Sequence, residues 1–432
     1  EIVFGDWSSD VCSSDLLDEK LPPKVKFVRV YGGDNERNPP IVLIEAPESY
    51  SIPPFGEPYV SIEFDVESSV PPSFYAKFVH CSANWEEDDN VFLNDIIFLR
   101  TSNIQWESAP VLSNYYNWRG KLQVPNEQVK FKYPGNWKVK VYEYYNDTTV
   151  FVEAKFFVLA PRANCDLRIY ADFYDPEFKV TTTALSFEAV VTASGTIYDN
   201  QLNTVVLYRK HRWEEPYFIT RHNNPNDRLH KYRMPIMIGG FVSAGKIFRI
   251  ERIPSQNAYR ILDLTNLAEY PRVNSPVRMP FADYRRYGSF FWADDDGAMI
   301  TDMVTHGTDD YVNVEFVIDP EGWISDYDVF PVGSFNNWNP DDSWAMYYDP
   351  SDRFYKVRHW VRRARHNYLY ATGVYNIDTK KVEKLSFDEF EGNTSAGAQT
   401  YLTFVYYREF DFGGYDALIG LGAANIYGKI RR

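Results

Sequence analysis

Short runs in which apolar and polar residues alternate recur along the whole chain. Residues 25–31 read VKFVRVY, with Val25 and Phe27 on one face and Arg29 next along it. Successive strand side chains point to opposite faces, so this pattern predicts a half-buried β-strand. Similar runs at 41–45, 60–66 and 74–81, and again at 137–145 and 150–159, predict seven or eight short strands before residue 160. They are separated by Gly, Asn, Asp and Pro turns, as in a β-sandwich. Ala160-Pro161-Arg162 reads as a linker. A second set of runs (167–170, 184–192, 205–209, 247–253, 259–262) predicts another sandwich with longer, polar loops, and residues 271–287 read as an irregular connector or binding loop. A third set (311–318, 329–332, 354–360, 368–371, 400–407) predicts a further antiparallel sandwich. The chain shows no sustained apolar repeat at helical spacing. It also lacks an apolar run near the roughly 18 residues that a membrane-crossing helix needs.

Composition agrees. Aromatic residues make up 17% of the chain, with 33 Tyr and 30 Phe, and these favour pleated, half-buried positions. The formal net charge of −15 disfavours non-specific nucleic-acid binding, which depends on cationic groups meeting phosphates. The first sixteen residues stand apart. Residues 6–16, DWSSDVCSSDL, match the translation of a common sequencing adapter, so residues 1–16 are expected to be a non-native scar and are set aside from fold reasoning. Removing their four acids raises the charge from −15 to −11. Cys12 also drops out. Cys81 then reads as a small core residue in a strand, and Cys165 falls beyond the linker, so no disulfide is expected between them.

Blocks at both ends carry a family resemblance. Phe78-Val79-His80-Cys81-Ser82-Ala83-Asn84-Trp85 resembles a Phe-x-His-Cys block closing on Trp, and Phe131-Lys132-Tyr133-Pro134-Gly135-Asn136-Trp137 leads into a second block through Glu143. Glu391-Gly392-Asn393, Tyr401 to Arg408 and Tyr415 to Gly420 look like a closing hairpin. The set resembles the plug protein of the type IX secretion system. The strand sets and the linker divide the chain into domains at 17–160, 161–306 and 307–432, and the resemblance implies an all-β protein of tandem immunoglobulin-like sandwiches, of which the middle one departs most from the family. It implies a non-enzymatic periplasmic protein, associated with the outer membrane and monomeric outside its complex. Its partner would be the outer-membrane β-barrel translocon, whose periplasmic end it closes, and no cofactor or catalytic residue is implied.

The stretch from Asp328 to Trp344, DVFPVGSFNNWNPDDSW, resembles the first hairpin of early-set immunoglobulin-like domains, including glycogen-binding modules. There, a tryptophan at the position of Trp338 stacks on a sugar with asparagines beside it, so Trp338 and Asn337 are the alternative, glycan-binding candidates. The second tryptophan of such modules has no counterpart at 371–376, which favours a structural hairpin. The run RFYKVRHWVRRARH, 353–366, is locally basic. Arg353, Arg358, Trp360, Arg362, Arg363 and Arg365 are the candidates for contact with an acidic partner, and Arg358, Trp360 and Arg362 share one strand face. The acidic loops Glu86-Glu87-Asp88-Asp89 and Asp294-Asp295-Asp296-Gly297 lack the ligand spacing of a calcium loop, so no metal site is expected. The chain contains no nucleophile elbow, zinc helix, P-loop or dinucleotide fingerprint.

Overall fold

A computed structural model describes residues 22–44, 55–95, 97–172, 184–193, 197–222, 225–230, 233–242, 245–272, 275–286, 296–394, 397 and 399–426. The expected scar and the pair Asp294-Asp295 lie outside these residues. Among the described residues regular structure is almost wholly β, with a single four-residue α-helical turn at Asn226–Leu229. Six sheets pack in pairs around three apolar cores.

In the first sandwich one sheet has the order Lys24–Gly32, Val60–Glu67, Trp118–Val124, Gln105–Ser108. The other runs Ile41–Leu43, Val152–Leu159, Gly135–Glu143, Phe74–Cys81, Arg100–Thr101. Val60, Ile62, Phe64 and Val66 point inward against Phe78, Trp137, Val139 and Phe156, as alternation requires. Cys81 and Cys165 are both free thiols.

The second sandwich pairs the sheet Ala163–Asp172, Ala184–Ala193, Gly245–Pro254, Ile236–Val242 with the sheet Tyr217–Thr220, Thr204–Arg209, Thr400–Glu409, Tyr415–Asn425. The closing hairpin, expected in the third sandwich, therefore belongs to the second. Val405 lies opposite Val205 and Tyr401 opposite Arg209. The hairpin is buried on both faces. Tyr401, Val405 and Tyr407 enter the second core, whereas Leu402, Phe404 and Tyr406 enter a separate cluster shared with the first sandwich. The linker is tied to the same hairpin, since Ala160 N donates to Leu418 O and Arg162 N to Ile419 O.

The third sandwich is built from 260–263 onward, not from residue 307. Arg260–Asp263 and Asp328–Gly333 flank Arg365–Asn376 in one sheet, which Lys381–Ser386 extends. Tyr311–Asp319, Phe354–Arg362 and Tyr347–Asp349 form the other sheet. The expected irregular connector contributes two short strands there, Val277–Arg278 and Asp283–Tyr284, both parallel to Tyr311–Asp319.

Phe404 is fully buried and stacks on Phe157 of the first sandwich at 4.2 Å between centroids. Phe404→Ala opens a cavity at this joint and is expected to cost about 3–5 kcal/mol. Urea denaturation checks this, and a loss confined to the second sandwich would show that the two do not unfold together.

Candidate functional site

Gly333 ends its strand where a β-carbon would lie 2.4 Å from Asn367 O and 2.6 Å from Tyr368 Cβ, so only glycine fits against the neighbouring strand. Asn336 then closes the turn, accepting from Gly333 N at 2.9 Å and donating to Pro331 O at 3.0 Å. Trp338 is carried inward. Its side chain is 5% exposed, and its Nε1 donates to Gly297 O at 3.0 Å. Tyr259 packs against the ring at 4.9 Å, and the Arg212 guanidinium lies 5.0 Å from its centre. No open flat face is left for a sugar, which corrects the alternative reading of Trp338. Asn337 is exposed, but its Nδ2 donates to Val28 O of the first sandwich at 2.9 Å. The hairpin thus sits where all three sandwiches meet.

The basic run is likewise drawn into the structure. The shared face of Arg358, Trp360 and Arg362 exists, but it turns towards the first sandwich. Arg358 pairs with Glu315 at 2.8 Å, and Trp360 stacks on Tyr115 at 5.1 Å. Arg362, 4% exposed, reaches Glu63 at 3.3 Å and Asp309 at 3.2 Å. Arg363 is also buried, donating to Leu264 O and Tyr270 O. Arg365 is half-buried, its backbone paired with Ile300. Only Arg353 and Arg358 of the six are exposed, so the group is no continuous partner surface. Buried arginines lost from the surface cannot meet a partner's acids.

Around Arg362 three guanidinium groups face four carboxylates. Arg29 binds Glu63 at 2.7 Å and Glu36 at 2.7 Å, and Arg119 binds Asp65 at 2.6 Å and also Asp309. Tyr311 donates to Asp65 at 2.7 Å and Tyr31 to Glu63 at 2.8 Å. Burial alone would raise the Asp309 carboxyl, but Arg362 and Arg119 more than offset it and hold it at about 2. Burial of Glu63 is offset in the same way by Arg29, Arg362 and Arg119, which keep it well below the usual carboxylate range. These groups join the first sandwich to the third. They are structural, and among the described residues no group of three His, Cys, Asp or Glu side chains could hold a metal ion.

A surface that sequence reasoning missed lies at the end of the first sandwich, beside the closing hairpin. Leu93 is buried in the second core, Asn94 Oδ1 accepts from His80 N at 2.8 Å, and Asn90 Nδ2 donates to Phe412 O. These anchors fix the loop while Val91, Phe92, Ile97 and Phe98 stay exposed, Val91 at 76% and Ile97 at 80%. Phe410 and Phe412 of the hairpin loop are exposed beside them. Tyr133 packs on Phe412 at 5.2 Å, and neighbouring Lys132 lies over Phe98 at 4.8 Å, so the two loops form one patch. Phe412 sits at φ 54°, an uncommon conformation for a bulky residue, and its carbonyl is the one Asn90 holds. Contiguous exposed apolar groups of this kind mark interaction surfaces. The sequence of the first loop, VFLNDIIFL at 91–99, carries no alternation, so periodicity does not mark it as a surface.

Residues 25–160 match the family model described as "Type 9 secretion system plug protein 1st domain". The matched span is the first sandwich. A search of curated proteins finds no match. The structure is similar along its length to a crystal structure of a hypothetical protein from Parabacteroides merdae ATCC 43184, with a TM-score of 0.68. The two are 20% identical over 93% of this chain and 97% of that one, a likeness that establishes the fold.

Two outcomes follow from the buried groups. Arg362→Met leaves Glu63 and Asp309 short of a partner and is expected to cost about 3–5 kcal/mol at neutral pH. Carboxyls held below their unfolded values stabilise the fold above about pH 4, and that contribution is lost as pH falls through the folded values. The difference between wild type and variant should therefore shrink between about pH 4 and pH 2, as measured by denaturation at each pH. Trp338→Ala is expected to cost about 3–5 kcal/mol and to leave migration in glucan-containing gels unchanged. Migration that glucan slows, and that this substitution restores, would reinstate the sugar-binding reading.

Proposed function

We propose that this chain is a non-enzymatic plug of the type IX secretion system, closing the periplasmic end of the outer-membrane β-barrel translocon by protein–protein binding. The observation that carries the reading is the match of residues 25–160 to the plug family's first domain. On this reading the protein works in the periplasm, associated with the outer membrane and monomeric outside its complex. Occlusion needs no cofactor and no reacting group. It needs a rigid body with a face that fits the pore mouth, where a few aromatic anchors supply most of the affinity and charges fix the register. Three sandwiches joined by an apolar cluster, a buried ion-pair set and the Asn337–Val28 hydrogen bond supply the rigid body.

The test is capture of outer-membrane proteins in mild detergent by the chain lacking residues 1–16. A large β-barrel protein of the secretion system, identified by mass spectrometry, should be retained. Repeated failure to retain one, with the captured chain shown to be folded, sinks the plug reading.

A further inference from the structure

Several apolar side chains stand exposed elsewhere, Val111 and Leu112 in one loop and Trp323, Ile324 and Tyr327 in another. Each of those groups belongs to a single loop. The patch of Val91, Phe92, Ile97, Phe98, Phe410 and Phe412 differs in two respects. It is assembled from segments more than 300 residues apart in sequence, joined by the Asn90–Phe412 hydrogen bond. It is also held in place from beneath, by Leu93 in the second core and by Asn94 on the backbone of His80. A partner meeting it need not order these loops, and avoiding that entropic cost leaves more of the contact energy as affinity.

The charges within the loops identify the kind of surface it fits. Asp89, Asp95 and Asp411 are exposed among the apolar groups. Lys132 lies over Phe98, and Arg408 is engaged by Asp416 at 3.1 Å. A site for an anionic bilayer carries free Lys and Arg around its apolar groups, whereas here three carboxylates lie among them, and Lys132 and Arg408 are each engaged by a ring or a carboxylate. We infer that the paired loops 89–95 with 97–98 and 408–414 are the face that docks on the translocon, and that they fit an apolar depression on the barrel's periplasmic rim bordered by Lys and Arg. This inference rests on the plug reading. The aromatic and branched groups act as the buried anchors, and the three aspartates set orientation and association rate against the basic border.

The test uses the chain without residues 1–16 and the same outer-membrane extract. In the triple variant Phe92→Ser, Ile97→Ser, Phe412→Asn, retention of the barrel should fall at least about tenfold while far-ultraviolet circular dichroism and the melting temperature stay within a few degrees of wild type. A second variant, Asp89→Lys, Asp95→Lys, Asp411→Lys, should also lose retention, and the loss should lessen as salt is raised. A photo-crosslinking residue in place of Ile97 should form an adduct with the barrel. If wild type retains the barrel and both triple variants retain it equally, the docking face is overturned and the plug reading stands. If wild type retains no barrel, both fall. If wild type instead binds vesicles of anionic phospholipid at physiological salt, and the Phe92, Ile97 and Phe412 changes abolish that binding, the face is a membrane contact and the inference is overturned.

Discussion

The relation of the third sandwich to the first depends on a buried set of charges: Arg29, Arg119 and Arg362 against Glu36, Glu63, Asp65 and Asp309. Taking such groups out of water is costly, so their net gain over an apolar joint is small. Their value is geometric. Arg119 grips Asp65 of its own sheet with two nitrogens and reaches Asp309 with the same group, while Arg362 spans from Asp309 to Glu63. A guanidinium binds planar carboxylates in a fixed orientation, so a small slip of one sandwich across the other would leave several buried charges unpaired at once. The neighbouring Tyr115–Trp360 stack adds apolar contact along the same seam.

The joint of the first and second sandwiches is of the opposite kind. Phe157 lies flat on Phe404, and Ile41, Cys81, Trp85 and Leu159 face Tyr208, Leu402, Tyr406 and Leu418. Its few polar groups are satisfied across the seam: Trp85 Nε1 donates to Tyr208 Oη at 3.0 Å, and Tyr406 Oη to Asn136 at 2.6 Å. Cys81, Trp85, Asn136, Leu402, Phe404, Tyr406 and Leu418 among them fall in the blocks that carry the family resemblance. At those positions the blocks serve the seam between the first and second sandwiches, whereas Glu391 of a further block binds Arg260 within the third. The same joint positions the exposed loops, because Leu93 and Asn90 are anchored across it.

How much of this could be read from the sequence follows from range. Alternation is local, so strands such as Phe74–Cys81 and Tyr311–Asp319 were legible nearly to the residue. Trp118–Val124 was not, because one of its core positions is Gly120, where Phe64 fills the space that a side chain would take. The division into sandwiches failed at the closing hairpin, since nothing local says that Thr400–Glu409 will pair with Thr204–Arg209. Its apolar run on both faces was a clue to burial on both sides. The basic run failed for the same reason. Arg362 reads as a surface charge until Glu63, 299 residues away, is placed beside it. Trp338 was more legible, because the missing second tryptophan already weighed against sugar, but its place at the junction of three sandwiches was not.

A body fixed by two seams of different chemistry has consequences for the proposed plug role. Rigid docking avoids the ordering cost of a folding partner, so a small face can suffice for specific binding. A plug must also leave, and a small face, with a few exposed anchors on two short loops, favours a complex that can dissociate. Charges on such a face act chiefly on how fast and in what orientation it docks, whereas the apolar anchors set how long it stays. On the proposed docking, the aspartates and the aromatic groups of the paired loops would divide between them the two rates that a reversible closure requires.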